Sequence, residues 1–341
     1  MFTLNQKTNM KYLFIIILSS FSIAGFTQIS TTVTATSKIE SNTSVPYDSL
    51  INDLGQNLYQ YIGQEFYLNQ RPESFRKYGY SNFLVDYEKS PYEKGNVYKS
   101  VDGFNSKYES IAGKYFKVID VMKPEIQKSQ FGSIEYFLKL EEKSSKDIAF
   151  YKYLLRNTEP IEIDWAANLG KGIPIFPFIV TGYFEKHKNI NVGQEYFFSD
   201  KTINGLLDIS TGKQIIVKTG EKWTCVDLTI DGKDFVLSIV AKNQNGEKIL
   251  IPYSSVRGKW SVGRTYTISQ KAKYESQFGA EKFNKILKGD VVIGMTKEMC
   301  KLSWGEPKSI NETTTAGKNS EQWVYEQNYL YFDNGTLTAI Q

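Results

Sequence analysis

The chain has 341 residues, 41 of them basic and 37 acidic, and 41% of it is hydrophobic. That length accommodates two or three domains, each large enough to bury a core. The near balance of charge argues against a dedicated nucleic-acid binder.

Lys7 and Lys11 precede the apolar run Tyr12–Leu18, and residues 19–27 are mostly small or apolar. This is the layout of a secretory signal peptide over residues 1–27, with Met10 as an alternative start and cleavage near Ala24 or Thr27. The run is too short for a membrane anchor. No other stretch approaches 18 apolar residues, so no spanning helix is expected after leader removal. Residues 28–45 are rich in Ser and Thr and poor in large apolar side chains, which predicts a disordered tether. Pro46 then opens a short helix with Leu50, Ile51, Leu54 and Leu58 on one face.

The middle of the chain repeats itself. Ile62-Gly63-Gln64-Glu65-Phe66-Tyr67 returns as Val192-Gly193-Gln194-Glu195-Tyr196-Phe197. Gly113-Lys114-Tyr115-Phe116 returns as Gly220-Glu221-Lys222-Trp223, and the hairpin-like pair Tyr136–Tyr153 returns as Phe235–Tyr253. Order is kept while the offset falls, so the first copy carries extra loop, mostly between Asn69 and Ser110. A third echo, Val262-Gly263-Arg264-Thr265-Tyr266, suggests a closing strand of the same type. Two copies at so long a period predict duplicated domains and not a solenoid. Each copy is written as short aromatic and β-branched strands between turns, which predicts a small antiparallel β-barrel or sandwich. The organisation expected is a first β module with an N-terminal helix over 46–160, a connection over 161–190 and a second β module over 191–270. Pro160, Pro174 and Pro177 mark that connection, which is expected to include an edge strand. In size and strand count the modules are similar to the SH3-like barrels of bacterial envelope proteins.

Residues 278–341 predict an αα-βββ unit, so the whole is α+β and mostly β. Phe278, Phe283, Ile286 and Leu287 lie at helical spacing, and Gly289 ends that helix. Thr296 is placed to cap a second helix, Met299 and Leu302 stripe it, and Gly305 and Pro307 stop it. Strand-like runs follow at Ser309–Thr315, Glu321–Tyr325 and Tyr329–Phe332, the last facing Leu337–Ile340 across the turn Asp333-Asn334-Gly335.

This pattern resembles the SmpA/OmlA (BamE-like) domain of bacterial envelope proteins. The residues that carry the resemblance are Gly294-Met295-Thr296-Lys297-Glu298, Trp304-Gly305-Glu306-Pro307, Trp323-Val324-Tyr325, and Tyr331-Phe332 with Gly335 and Leu337. The resemblance implies a two-helix, three-stranded fold in an envelope protein. Well-known members carry a lipid on an N-terminal cysteine, whereas no cysteine precedes Cys225 here. The implied location is therefore the periplasm or cell surface, in association with the outer membrane but without a lipid anchor.

Little reactive chemistry is visible. The only histidine, His187, sits in the charged run Glu185-Lys186-His187-Lys188 and reads as a solvated turn residue. One histidine with the distant Cys225 and Cys300 predicts no metal site, and the two thiols are expected to be buried and unbridged. No nucleotide-binding loop is present, so no cofactor is expected. Glu162 and Asp164 share a strand face and could flank a sugar, whereas Glu141 and Glu142 must point to opposite faces. The surplus is aromatic, with 23 Tyr and 21 Phe. These are expected mainly in cores, and an exposed row would stack on sugar or peptide. Trp304, Glu306, Glu321, Gln322 and Trp323 form the candidate binding patch. The expectation is an exported, non-enzymatic adaptor for envelope proteins or glycans. A secreted enzyme inhibitor and a wall-active carbohydrate enzyme are the alternatives.

Overall fold

The computed structural model describes residue 52 and residues 57–100, 102–124, 134–155, 176–257, 261–315 and 318–341. The leader, the tether, most of the first helix and the pair Glu162/Asp164 lie outside the described residues. Strand exceeds helix, and the strands form three open antiparallel sheets.

The first sheet contains β1 (Glu65–Leu68), β2 (Phe83–Leu84), β3 (Tyr115–Met122), β4 (Ile134–Glu142), β5 (Ile148–Leu155) and β6 (Phe178–Val180), in the order β2-β5-β4-β3-β1-β6. The second contains β7 (Glu195–Phe198), β8 (Lys222–Ile230), β9 (Leu237–Lys242), β10 (Lys248–Pro252) and β11 (Thr265–Thr267), in the order β10-β9-β8-β7-β11. Apart from β2, the two orders are the same. Local details coincide as well. Gly63 and Gly193 both sit at φ 87°, a conformation that suits residues without a Cβ. Each donates its N–H across the sheet, to the Val118 and Cys225 carbonyls respectively, at 2.8 Å. β3 and β8 carry a bulge between Val118 and Asp120 and between Cys225 and Asp227. In both, the aspartate accepts the next backbone N–H at 2.8 Å, covering a donor the bulge would strand.

Neither sheet closes into a barrel, which corrects the barrel expectation. The closing strands β6 and β11 pair with β1 and β7, not with the far edge strands. In the first sheet the far edge is covered by β2, which pairs with β5 through Phe83–Tyr151 and Leu84–Phe150. The Lys152 N–H extends that pairing to the Asn82 carbonyl at 2.8 Å. In the second sheet the corresponding strand is β10, where the Ile209 N–H reaches only the Lys248 carbonyl and Pro252 has no N–H to offer.

The two sheets share one core. Phe66, Phe116 and Phe178 of the first lie in a single apolar cluster with Phe198, Trp223 and Ile239 of the second. Outside the sheets lie the short helices α1 (Glu73–Arg76), which buries no residue, and α2 (Tyr108–Ile111), and, after β6, the longer α3 (Thr181–Asn191). Helices α2 and α3 pack on this core through Tyr108, Ile111, Tyr183 and Phe184. A fourth, α4 (Asp200–Ile203), follows β7.

The C-terminal unit is α5 (Ile268–Phe278), α6 (Ala280–Lys288) and α7 (Lys297–Trp304), then β12 (Ser309–Thr315), β13 (Lys318–Val324), β14 (Tyr329–Asp333) and β15 (Thr336–Ile340) in sequential order. Within residues 278–341 the two expected helices form, while the expected three strands are corrected to four; a further helix precedes that range. The extra helix is α5, capped by a reciprocal Thr267–Gln270 box, and both arms of the last hairpin are full strands. The anticipated punctuation does form. Gly289 ends α6 at φ 81°, and the Thr296 hydroxyl accepts the Met299 N–H at 3.3 Å. Trp323 and Phe332, with ring centroids 4.6 Å apart, join Phe283, Ile286 and Met299 in a second core. Lys201 donates to the Ser303 carbonyl at 2.9 Å, tying this unit to the second sheet.

Candidate functional site

The five residues of the C-terminal patch do not converge. β13 alternates, so Glu321 and Trp323 face the helices while Gln322 faces out. Trp323 is buried. Its Nε1 donates to Glu321 at 2.9 Å, and the Lys301 ammonium lies 5.3 Å from its ring. Glu321 also pairs with Lys297, whose hydrogen bond holds the carboxyl below its usual range. Trp304 is half-buried, with Nε1 on the Gly289 carbonyl at 2.8 Å and its ring edge-on to Tyr325. Glu306 is exposed and pairs with Lys301 at 2.8 Å. On the outer face Gln322 belongs to a side-chain ladder. Asn311 donates to it at 2.9 Å, it donates to the Tyr331 hydroxyl at 3.0 Å, and that hydroxyl donates to Gln341 at 2.8 Å. Most of these polar groups are occupied in holding the unit together.

His187 is buried, correcting the solvated-turn reading. It lies on α3, whose inward positions Tyr183, Phe184, His187 and Asn191 follow helical spacing. Its Nδ1 is 2.8 Å from the Tyr253 hydroxyl, and Asn191 joins that hydroxyl to Tyr196 at 2.9 and 2.7 Å. Arg257 approaches the ring at 2.9 Å. Cys225 and Cys300 are buried and unbridged, as expected, and burial raises their pKa to about 11 and about 12. Among the described residues no three His, Cys, Asp or Glu side chains converge where a metal could sit.

The feature that stands out is the long loop between β1 and β3. It is an ordered excursion built on short pairings. Tyr80 and Ser106 exchange backbone hydrogen bonds at 3.0 and 2.9 Å, and the Lys107 N–H reaches the Lys99 carbonyl at 3.0 Å. The Asn96 amide clamps the Asp86 backbone from both sides at 2.9 Å. Gly79 is required by space, because a Cβ there would lie 2.1 Å from the Ser106 oxygen. The Asp102 carboxylate accepts from the Phe104 N–H at 2.9 Å and from the Ser100 hydroxyl at 3.1 Å. The backbone hydrogen bond from Phe104 leads the interactions that lower its pKa.

The excursion is anchored to the sheet through Glu142, whose side chain is fully buried. It accepts from Lys99 at 2.6 Å, Lys114 at 2.7 Å, the Ser144 hydroxyl at 2.7 Å and the Tyr98 hydroxyl at 3.0 Å. Burial alone would raise its pKa. The donors, led by Lys114 and Lys99, outweigh it and bring the carboxyl down to about 2. Its neighbour Glu141 points the other way, to Lys146 at 3.0 Å.

Against this fixed frame the two most exposed rings among the described residues are Tyr92, at 88%, and Phe104, at 74% exposure. They line a cleft of about 200 Å³ with Ser81, Asn82, Pro91 and Lys152. Lys152 also pairs with Glu135. Apolar faces beside hydroxyl, amide and ammonium groups can stack on a ligand and hydrogen-bond its edges. Sequence reasoning named none of these residues. The usable signal was the mismatch in length between the two similar stretches of sequence, which set this loop apart. Comparison with protein families, curated proteins and solved structures gave no match to this chain.

Proposed function

We propose that this is an exported cell-envelope binding protein that acts as an adaptor without turning over a substrate, and that it holds a glycan in the excursion cleft. The observation that carries this reading is the pair Tyr92 and Phe104, held open on a loop otherwise fastened to the sheet. Sugar rings present C–H faces that stack on aromatic rings at low entropic cost, with hydroxyls for Ser81, Asn82 and Lys152.

The two larger sheets are proposed to descend from one duplicated unit. Their common strand order, the matched entry glycines Gly63 and Gly193 and the bulge aspartates Asp120 and Asp227 support this. The C-terminal unit is proposed to be a SmpA/OmlA-like domain. Helices α6 and α7 against a sheet with Trp323 and Phe332 in the core support it, while α5 and the fourth strand are additions to the expected plan. No helix of the described residues is long and apolar enough to cross a membrane.

The test is calorimetric titration of the chain lacking its leader with peptidoglycan fragments and envelope polysaccharide. Binding lost on Tyr92→Ala or Phe104→Ala, with melting unchanged, supports the reading. Binding indifferent to both substitutions, or cleavage of the glycan, overturns it.

A further inference from the structure

The turn that carries Phe104 has a second side. Across Asp102–Asn105 lies another cleft, of about 420 Å³, between Arg76–Gly79 and Ser106–Glu109. Its cations are poorly compensated. Arg76 donates Nε to the Arg71 carbonyl at 3.1 Å and lies 5.3 Å above the Tyr108 ring, and no carboxylate pairs with it among the described residues. Arg71 sits behind. It donates to the Gly79 carbonyl at 2.7 Å, lies 4.4 Å from the Tyr80 ring, and has a buried Nε without a partner. Tyr80 and Tyr108 are themselves stacked, 8° from parallel. Each guanidinium thus lies near one ring of a tyrosine pair, Arg76 also 5.9 Å from the Phe235 ring, and of the Arg76 guanidinium nitrogens only Nε has a hydrogen-bond partner among the described residues. Lys77 lies 4.9 Å from the Tyr78 ring. Of the two acids in the lining, Asp102 is turned into its own loop and Glu109 makes only a long, exposed contact with Lys107 at 3.8 Å. A planar, preorganised guanidinium matches an oxyanion through two parallel hydrogen bonds.

We propose that the second cleft seats an oxyanion carried by the same ligand, so that the preferred partner is an acidic glycan. One of its sugar rings lies on Tyr92 and Phe104, and a carboxylate or sulfate of the same glycan chain lies on Arg76. This rests on the glycan reading of the aromatic cleft, and the two are separable by experiment. The full chain without its leader is titrated with an oligouronate, with its carboxyl-reduced neutral counterpart, with a sulfated neutral oligosaccharide and with polyglutamate.

At low salt at least one charged sugar binds about tenfold tighter than the neutral one. Which one does so identifies the oxyanion. The preference falls at about 0.5 M salt and disappears in Arg76→Gln/Lys77→Gln, whose affinity for the neutral sugar is unchanged. Arg76→Lys keeps the charge without the fork and retains only part of the preference. Equal binding of charged and neutral sugars, or a preference that survives the double substitution, overturns the proposal while leaving the glycan reading intact. Failure of every sugar overturns both, and binding of polyglutamate in their place reassigns the site to an acidic protein.

Discussion

Replacing Glu142 by Gln tests the anchoring of the excursion. The substitution keeps the volume and removes the charge that Lys99 and Lys114 share. A carboxyl brought down to about 2 from an ordinary 4.5 corresponds to about 3 kcal/mol of pH-linked stability. The folded pKa is the lower one, so the unfolded chain protonates first as pH falls. The contribution is complete above about pH 5 and is lost as pH drops toward 2, about 2 kcal/mol of it by pH 3. Lys99 and Lys114 keep 26% and 33% of their side-chain exposure, so both can regain water when the carboxylate is gone. The expected cost at pH 7 is therefore about 2–3 kcal/mol, below that of stranding a fully buried partner. Urea unfolding followed by tryptophan fluorescence at pH 7 and pH 3 measures it. The gap between wild type and Glu142→Gln should shrink by about 2 kcal/mol between the two, because the other depressed carboxyls titrate in both proteins. A gap below about 1 kcal/mol at pH 7, or one that does not change with pH, refutes the reasoning. In the same variant, limited proteolysis should cut faster within residues 85–105, where the freed Tyr98 and Lys99 lie.

Three further outcomes are expected. Trp304→Ala should cost about 2–3 kcal/mol, because the ring is half-buried and loses its Gly289 hydrogen bond, whereas Glu306→Ala should stay within about 0.5 kcal/mol; calorimetric melting separates the two. Gly79→Ala should cost more than about 2 kcal/mol, since the backbone is at φ 55° and the new Cβ would meet the Ser106 oxygen. Gly63→Ala, with open space around it, should cost only about 1 kcal/mol for its positive φ, as denaturant midpoints will report. Cys225 and Cys300 should resist a thiol reagent at pH 8 in the native protein and both react in denaturant, because burial pushes both thiols up; rapid native labelling of either would contradict their burial.

Where local rules dominate, the sequence was readable. Thr296, Gly289 and Asp333-Asn334-Gly335 act through their own few residues, and they mark the ends of elements as their chemistry dictates. The excursion is different. Asn96 holds Asp86, Ser106 holds Tyr80, and Glu142 gathers Lys99 and Lys114, contacts between residues far apart in a stretch with no period to read. Its solvent-facing rings were hidden in an aromatic-rich composition that mostly serves the core. Other misses had a visible signal. His187 continues the spacing of Tyr183 and Phe184, but its lysine neighbours drew the reading to the surface. Thr267 and Gln270 spell a capping box ahead of α5. The period-2 alternation of β13 already separated Gln322 from Glu321 and Trp323, so a single patch containing all three was ruled out by geometry.

Pro252 has a consequence for how copies of this chain coexist. At the outer margin of the first sheet, the Lys152 N–H receives the excursion through Asn82. The matching position on the second sheet is Pro252, which has no N–H to give an incoming backbone. Two sheets of similar plan invite exchange, with the excursion of one molecule settling on the second sheet of another and the error propagating from chain to chain. An imino acid at that one place removes the donor for the corresponding link, which disfavours such an exchange.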